Sequence, residues 1–167
     1  IALDDSRHLL YAVTRENNSL YTVDTGSGQV LARYPLGGEA YTCLLSPDRS
    51  RLYISCWGCN QVVLFDAVTQ QLDGQVPVGD NPNDLCLSRN GEWLFVANAN
   101  DNTVSVINTR LRKVVETLNT ALFPDAPSGS TANSLALSGD DRSLYVANAD
   151  NNCLAVFDVE EPGTSIS

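Results

Sequence analysis

The chain has 167 residues, 43% of them hydrophobic and 18% charged, and twenty acidic side chains against ten basic ones give a net charge of −10. That length and apolar content describe a globular chain with a sizeable core rather than a disordered one. No apolar run approaches the ~18–20 residues a bilayer span needs, and Lys113 is the only lysine, so neither a membrane span nor a nucleic-acid partner is expected.

In chain order, Ile1-Ala2-Leu3 reads as the tail of a strand, and the chain contains no methionine. The true N-terminus is therefore expected to lie elsewhere, and the missing leader says nothing of compartment. A turn over Asp4-Asp5-Ser6-Arg7-His8, read as solvated, precedes a strand carrying Leu10-Tyr11, then Asn18 and a strand ending at Asp24. The same succession returns with Leu52-Tyr53, Asn60 and Asp66, with Leu94-Phe95, Asn102 and Asn108, and with Leu144-Tyr145, Asn152 and Asp158. All three series step by 42, 42 and 50 residues, which marks an internal repeat. In the third unit, alternation and turn residues predict strands at Asp84–Leu87, Trp93–Asn98, Thr103–Asn108 and Lys113–Leu118. Asp48, Asn90 and Asp140-Asp141 take the turn after each first strand, where such side chains bond their own backbone.

Four antiparallel strands in about 40–45 residues describe a β-propeller blade. One such sheet cannot bury both its faces, so blades must stack around an axis. A β-sandwich would not require every unit to repeat in register. The expected fold is thus all-β, a propeller of four-stranded antiparallel blades. About four blades are present in one segment, with repeats at approximately 1–36, 37–78, 79–128 and 129–167.

Leu87-Ser88-Arg89-Asn90-Gly91-Glu92-Trp93-Leu94-Phe95-Val96-Ala97-Asn98, followed by Asn102-Thr103-Val104-Ser105-Val106-Ile107-Asn108, resembles the YVTN-type propeller repeat. Leu137 to Asp158 matches it closely, and Tyr11-Ala12-Val13-Thr14 is the most divergent copy. The resemblance implies a larger ring, usually of seven blades. The insert Ala121-Leu122-Phe123-Pro124-Asp125-Ala126-Pro127-Ser128-Gly129-Ser130-Thr131 resembles the propeller half of bacterial proteins that also carry an alkaline-phosphatase-like phosphoesterase domain. That likeness implies a periplasmic or extracellular protein and a hydrolase reading of the whole, although none of that domain's metal ligands falls in this chain.

Loops after second and fourth strands share one face of a propeller, and that face collects the departures from the repeat. Binding residues are expected there: Trp57, Asn60, Asn81, Asn98, Asn100, Asp101, Phe123, Asp125 and Asp150. The ligand would be a protein or an envelope component such as a glycan, and open blade edges invite self-association. Cys56-Trp57-Gly58-Cys59 is the one local motif that carries chemistry. It lies in a hairpin rather than at a helix N-terminus, against the redox reading, and zinc would need two further ligands. A hairpin disulfide between Cys56 and Cys59, or a pair of unreactive thiols, remains. Cys43 and Cys86 are expected to pack in first strands as small apolar side chains. With one histidine and no methionine, neither a Ser-His-Asp set nor a haem or copper centre is expected. The chain thus carries no catalytic constellation, no metal site and no cofactor among its expectations.

Overall fold

The computed structural model describes residues 1–123 and 131–163. Blade 1 comprises β1 (Ala2–Asp4), β2 (Leu9–Thr14), β3 (Ser19–Asp24) and β4 (Val30–Pro35). Blade 2 comprises β5 (Ala40–Leu45), β6 (Arg51–Cys56), β7 (Gln61–Asp66) and β8 (Gln71–Pro77), with one 3₁₀ turn at Trp57–Cys59 between β6 and β7. Blade 3 holds β9 (Pro82–Leu87), β10 (Trp93–Asn98), β11 (Thr103–Asn108) and β12 (Lys113–Asn119). Blade 4 holds β13 (Ala132–Leu137), β14 (Ser143–Asn148) and β15 (Cys153–Asp158). Each blade is its own antiparallel meander, four-stranded in the first three and, among the described residues, three-stranded in the last. The expected propeller is thus what forms, as an arc of blades rather than two facing sheets. In the third unit only the outer limits differ from expectation. Pro82 opens β9 by pairing with Asn98 across a bulge, a place a strand tolerates proline because no ladder donor is needed.

The core lies between blades, which is why the repeat exists. Three buried clusters fill the three seams: one around Tyr11, Leu52 and Phe65, one around Tyr53, Leu94 and Ile107, and one around Phe95, Leu144 and Val146. The aromatic of the Leu-Tyr marker is the wedge that meets the following blade. Tyr11, Tyr53 and Phe95 are 0%, 3% and 1% exposed, whereas Tyr145, with no following blade among the described residues, is 37% exposed. Leu154 and Val156 on β15 are exposed for the same reason.

The turn after each first strand is built alike. Ser46, Ser88 and Ser138 donate their hydroxyls to Asp48, Asn90 and Asp140 at 2.6, 2.7 and 2.6 Å. The same oxygens accept the N–H groups of Arg51, Trp93 and Ser143 at 3.0, 2.9 and 2.9 Å. Ser46 is the largest influence holding the Asp48 carboxyl below the usual range, as Ser138 is for Asp140. Blade 1 inverts the order, with Asp4 where the others have serine and Ser6 donating to it at 2.6 Å. The solvated-turn expectation fails at Asp4. It is 0% exposed, because Arg7 and Arg49 close over it at 3.0 and 3.6 Å.

Asp24, Asp66 and Asn108 end third strands for a reason equally local. Their Oδ1 atoms accept backbone N–H groups of the next turn, from Ser27 at 2.6 Å, Thr69 at 2.7 Å and Leu111 at 2.9 Å. That releases the chain into the following hairpin, where Gly28, Gln70 and Arg112 take positive φ.

Candidate functional site

The opposite face is assembled by two recurring stitches between hairpin and linker. The N–H after the second strand donates to the linker preceding the blade: Trp57 to Glu39 at 2.7 Å, Ala99 to Asn81 at 3.0 Å and Ala149 to Thr131 at 3.0 Å. Asn18, Asn60 and Asn102 sit at φ 48°, 53° and 53°, a left-handed conformation asparagine tolerates. Their carbonyls accept from Leu36, Val78 and Thr120 just beyond the fourth strand, at 2.8, 3.0 and 2.8 Å. The Asn marker of the sequence is therefore a backbone device that ties hairpins to linkers. Hairpin and linker side chains consequently meet on one surface.

Six of the nine expected binding residues converge on the linker between blades 2 and 3. Asn81 donates its backbone N–H to Asn60 Oδ1 at 3.2 Å. Hydrogen bonding assigns its amide nitrogen toward the Trp57 carbonyl, 2.9 Å away, and its oxygen toward Asn100 Nδ2 at 2.7 Å. Asn100 Nδ2 also reaches Asp80 Oδ2 at 3.1 Å, and Asp80 N–H donates to Asp101 Oδ2 at 2.5 Å. Beneath them Asn98, fully buried, donates to Thr103 Oγ1 and Ser105 Oγ, each at 2.9 Å. Its Oδ1 has no partner.

Trp57 is half-buried at the rim of this cluster. The guanidinium of Arg15, from blade 1, lies 5.4 Å from the Trp57 ring centroid, within cation–π range. It also pairs with Glu39 at 3.3 Å. The remaining expected residues stand apart. Phe123 is exposed, Asp150 is bonded by Thr131 Oγ1 at the next linker, and Asp125 lies outside the described residues. Sequence reasoning missed Thr103, Ser105 and Thr117, which join Asp101, Val78 and Val114 in lining a groove of about 460 Å³ beside the cluster. The strand alternation that places Thr103 and Ser105 on one side was visible. The blade that supplies the groove's other wall was not.

The two cysteines of the C-x-x-C motif occupy the positions that Asn98 and Asp101 hold in blade 3. Both are free thiols, Cys56 buried at the end of β6 and Cys59 exposed, so no disulfide joins them in this structure. Burial first, and the neighbouring Cys59 second, push the Cys56 thiol up to about 12. Cys43 packs in the first seam as expected, and Cys86, half-buried, packs against the cluster around Phe95 and Leu144. Burial raises both thiols. Among the described residues no group of three or more His, Cys, Asp or Glu side chains is placed to hold a metal ion.

Gly79 makes the cluster sensitive to volume. A Cβ there would stand 2.6 Å from both Asn98 Nδ2 and Asp101 Oδ2 and 2.7 Å from Asn98 Cγ, so Gly79→Ala must displace a buried amide. Urea titration should show a loss of about 1–3 kcal/mol. Gly58→Ala, whose added carbon meets only Glu39 at 3.7 Å or beyond, should stay within about 0.5 kcal/mol of the parent. Equal effects would refute this packing.

Comparison with known proteins agrees with the architecture. The family model described as lactonase, 7-bladed β-propeller, matches residues 39–121. The β subunit of hydrazine synthase from Kuenenia stuttgartiensis is 32% identical, over 55% of this chain and 32% of that protein. YncE of Salmonella typhimurium is 29% identical, over 58% of this chain and 27% of that protein. The chain thus spans about a third of the length of these relatives. Among solved structures, a Lactobacillus plantarum protein superposes with a TM-score of 0.83 at 22% identity, covering 96% of this chain and 53% of that one. Kuenenia stuttgartiensis hydrazine synthase gives 0.81 at 19% identity, covering 91% and 43%. These structural likenesses establish the fold: this chain is part of a β-propeller.

Proposed function

We propose that this arc is a non-catalytic binding scaffold whose ligand docks on the face made by the second-to-third-strand hairpins and the blade-to-blade linkers. The ligand class is a neutral, hydroxyl- and amide-bearing envelope glycan. What carries this reading is the convergence of Trp57, Asn60, Asn81, Asn100 and Asp101 on one linker, beside a groove walled by hydroxyls and two valines. An aromatic ring offers rigid apolar area, while amides and a carboxylate supply the donor and acceptor pairs that vicinal hydroxyls need. On the other face, the hydroxyls of Ser46, Ser88 and Ser138 are bonded to Asp48, Asn90 and Asp140 of their own turns.

The chain acts as a single segment in this reading, with repeats at 1–36, 37–78, 79–128 and 129–167. An extracytoplasmic location, implied by the resemblance of the insert, agrees with a glycan ligand. The hydrazine synthase relative is named as a subunit, which agrees with a propeller that works within an assembly. An accessory role beside a phosphoesterase domain rests on the resemblance of the insert alone. Sequencing the gene beyond Ser167 tests it, and an absence of phosphoesterase metal ligands there would remove it.

Calorimetric titration with N-acetylglucosamine oligosaccharides tests the binding reading. Trp57→Ala and Asp101→Ala should each weaken binding at least about tenfold, the effect of losing one good contact. Ser50→Ala, on the opposite face, should leave it unchanged. No heat at millimolar oligosaccharide, or losses confined to the Ser50 side, would overturn the proposal.

A further inference from the structure

The turn after the second strand brings the side chains of its first and fourth positions close together in blades 1 and 3. In blade 1 those positions are Thr14 and Asn17, and Thr14 Oγ1 is hydrogen-bonded to Asn17 Oδ1. In blade 3 they are Asn98 and Asp101, whose Nδ2 and Oδ2 both lie 2.6 Å from the point where a Gly79 Cβ would stand. In blade 2 both positions are cysteine. Cys56 caps the 3₁₀ turn of which Cys59 is the last residue, and side chains three apart eclipse one another in that geometry.

We propose that Cys56 and Cys59 are a reversible dithiol–disulfide pair that clamps the turn carrying Trp57. Their accessibility assigns the roles. Cys59 is exposed and Cys56 is fully buried, so an external disulfide meets only Cys59. The Cys59 Sγ lies against Gly38, where a Cβ would stand 1.9 Å away. It donates a weak contact to Gly37 O at 3.7 Å. Oxidation proceeds by exchange with a protein or small-molecule disulfide. The Cys59 thiolate, having lost its proton to solvent, attacks one sulfur of the oxidant, forms a mixed disulfide and expels one thiolate. Cys56 then attacks Cys59 Sγ, and its proton passes to the second oxidant sulfur as that sulfur leaves as a thiol. Two electrons pass to the oxidant, whose first departing thiolate takes up the proton that Cys59 released to solvent. Closure replaces the hydrogen bond of blade 1 with a covalent link and holds Trp57, whose N–H is already fixed on Glu39, beneath Arg15. This chemistry is independent of which ligand the face binds.

Oxidised glutathione is the probe. After incubation of the full chain, denaturation and alkylation, the number of alkylated cysteines should fall from five to three. One peptide should carry a Cys56–Cys59 link, and dithiothreitol should restore all five. Cys59→Ser, an exposed and conservative change, should abolish the loss. Cys56→Ser should trap glutathione on Cys59. Amide exchange over Trp57–Asn60 should slow on oxidation. Five alkylated cysteines after oxidation, or a link from either residue to Cys43, Cys86 or Cys153, would overturn the pairing. Unchanged exchange in a chain that has formed the link would overturn the clamp.

Discussion

Phe65→Ala should destabilise the chain by about 3–5 kcal/mol, the cost of emptying a well-packed aromatic site, and lower Tm by roughly 6–20 °C for a chain of this size. Phe65 stands on β7 of blade 2 and is 0% exposed. Its ring is one of the contacts blade 2 offers to blade 1, edge-on to Tyr34 at 4.9 Å and to Tyr11 at 6.2 Å between centroids. The cavity cannot close by collapse, because its walls belong to two sheets, each rigid through its own ladder. Gln70 holds one wall in place by donating to Tyr11 Oη at 3.1 Å and to its own blade at Ala67 O at 2.9 Å. The matched control is Val156→Ala on β15, where the side chain is largely exposed and the expected change is within about 0.5 kcal/mol. A loss below about 1 kcal/mol at Phe65 would mean that the seam is not what holds the blades together.

The reason this seam could be anticipated is that the repeat markers are seam residues. Tyr11, Tyr53 and Phe95 recur because each must fill the gap to the next blade, and a residue under that constraint keeps its size and its phase. The Asn18, Asn60 and Asn102 series was legible as a period but not as a cause. Its role lies in a left-handed backbone and in a carbonyl bonded far along the chain, which spacing alone does not reveal. Strand limits shifted at Pro82, since a bulge lets proline pair where alternation had ended. The candidate site was legible because the second-to-third-strand hairpins and the linkers share one face of a propeller. Trp57, Asn60, Asn81, Asn100 and Asp101 come together because hairpin and linker are stitched by backbone hydrogen bonds in each blade. The Arg15 stack on Trp57 and the hydroxyl groove beside Asp101 were not legible, since both depend on which blade lies alongside. Asp4 was misjudged for the same reason. In its own repeat it is a turn carboxylate, and only the arrival of Arg49 from the next blade buries it.

That burial makes Asp4 the most consequential charge in the arc. It accepts from Ser6 N–H and Oγ at 3.2 and 2.6 Å and from Arg7 N–H at 3.3 Å. The Arg7 guanidinium, 3.0 Å from its Oδ2, continues to Arg49 O at 2.8 Å and Ala67 O at 3.4 Å, so one side chain joins blades 1 and 2. Asp4→Ala would remove the buried acceptor shared by Ser6, the Arg7 N–H and two guanidinium groups, and a loss of about 1–3 kcal/mol is expected. Burial alone would raise the Asp4 carboxyl. The Ser6 hydroxyl, the Arg7 N–H and the charges of Arg7 and Arg49 outweigh it, and the group ends below its ordinary value of 3.8. Because the folded value is the lower one, the carboxylate's contribution is complete above the unfolded value and is lost as pH falls through the folded one. Denaturant titrations of the parent and Asp4→Asn should therefore differ by a constant amount from about pH 5 to 8 and converge below about pH 4. Asp24, Asp48, Asp66 and Asp140 are also held low, but they are present in both chains and cancel in the difference. A gap that persisted unchanged into strong acid would mean that the geometry of the turn, and not the charge on Asp4, is what ties the first blade to the second.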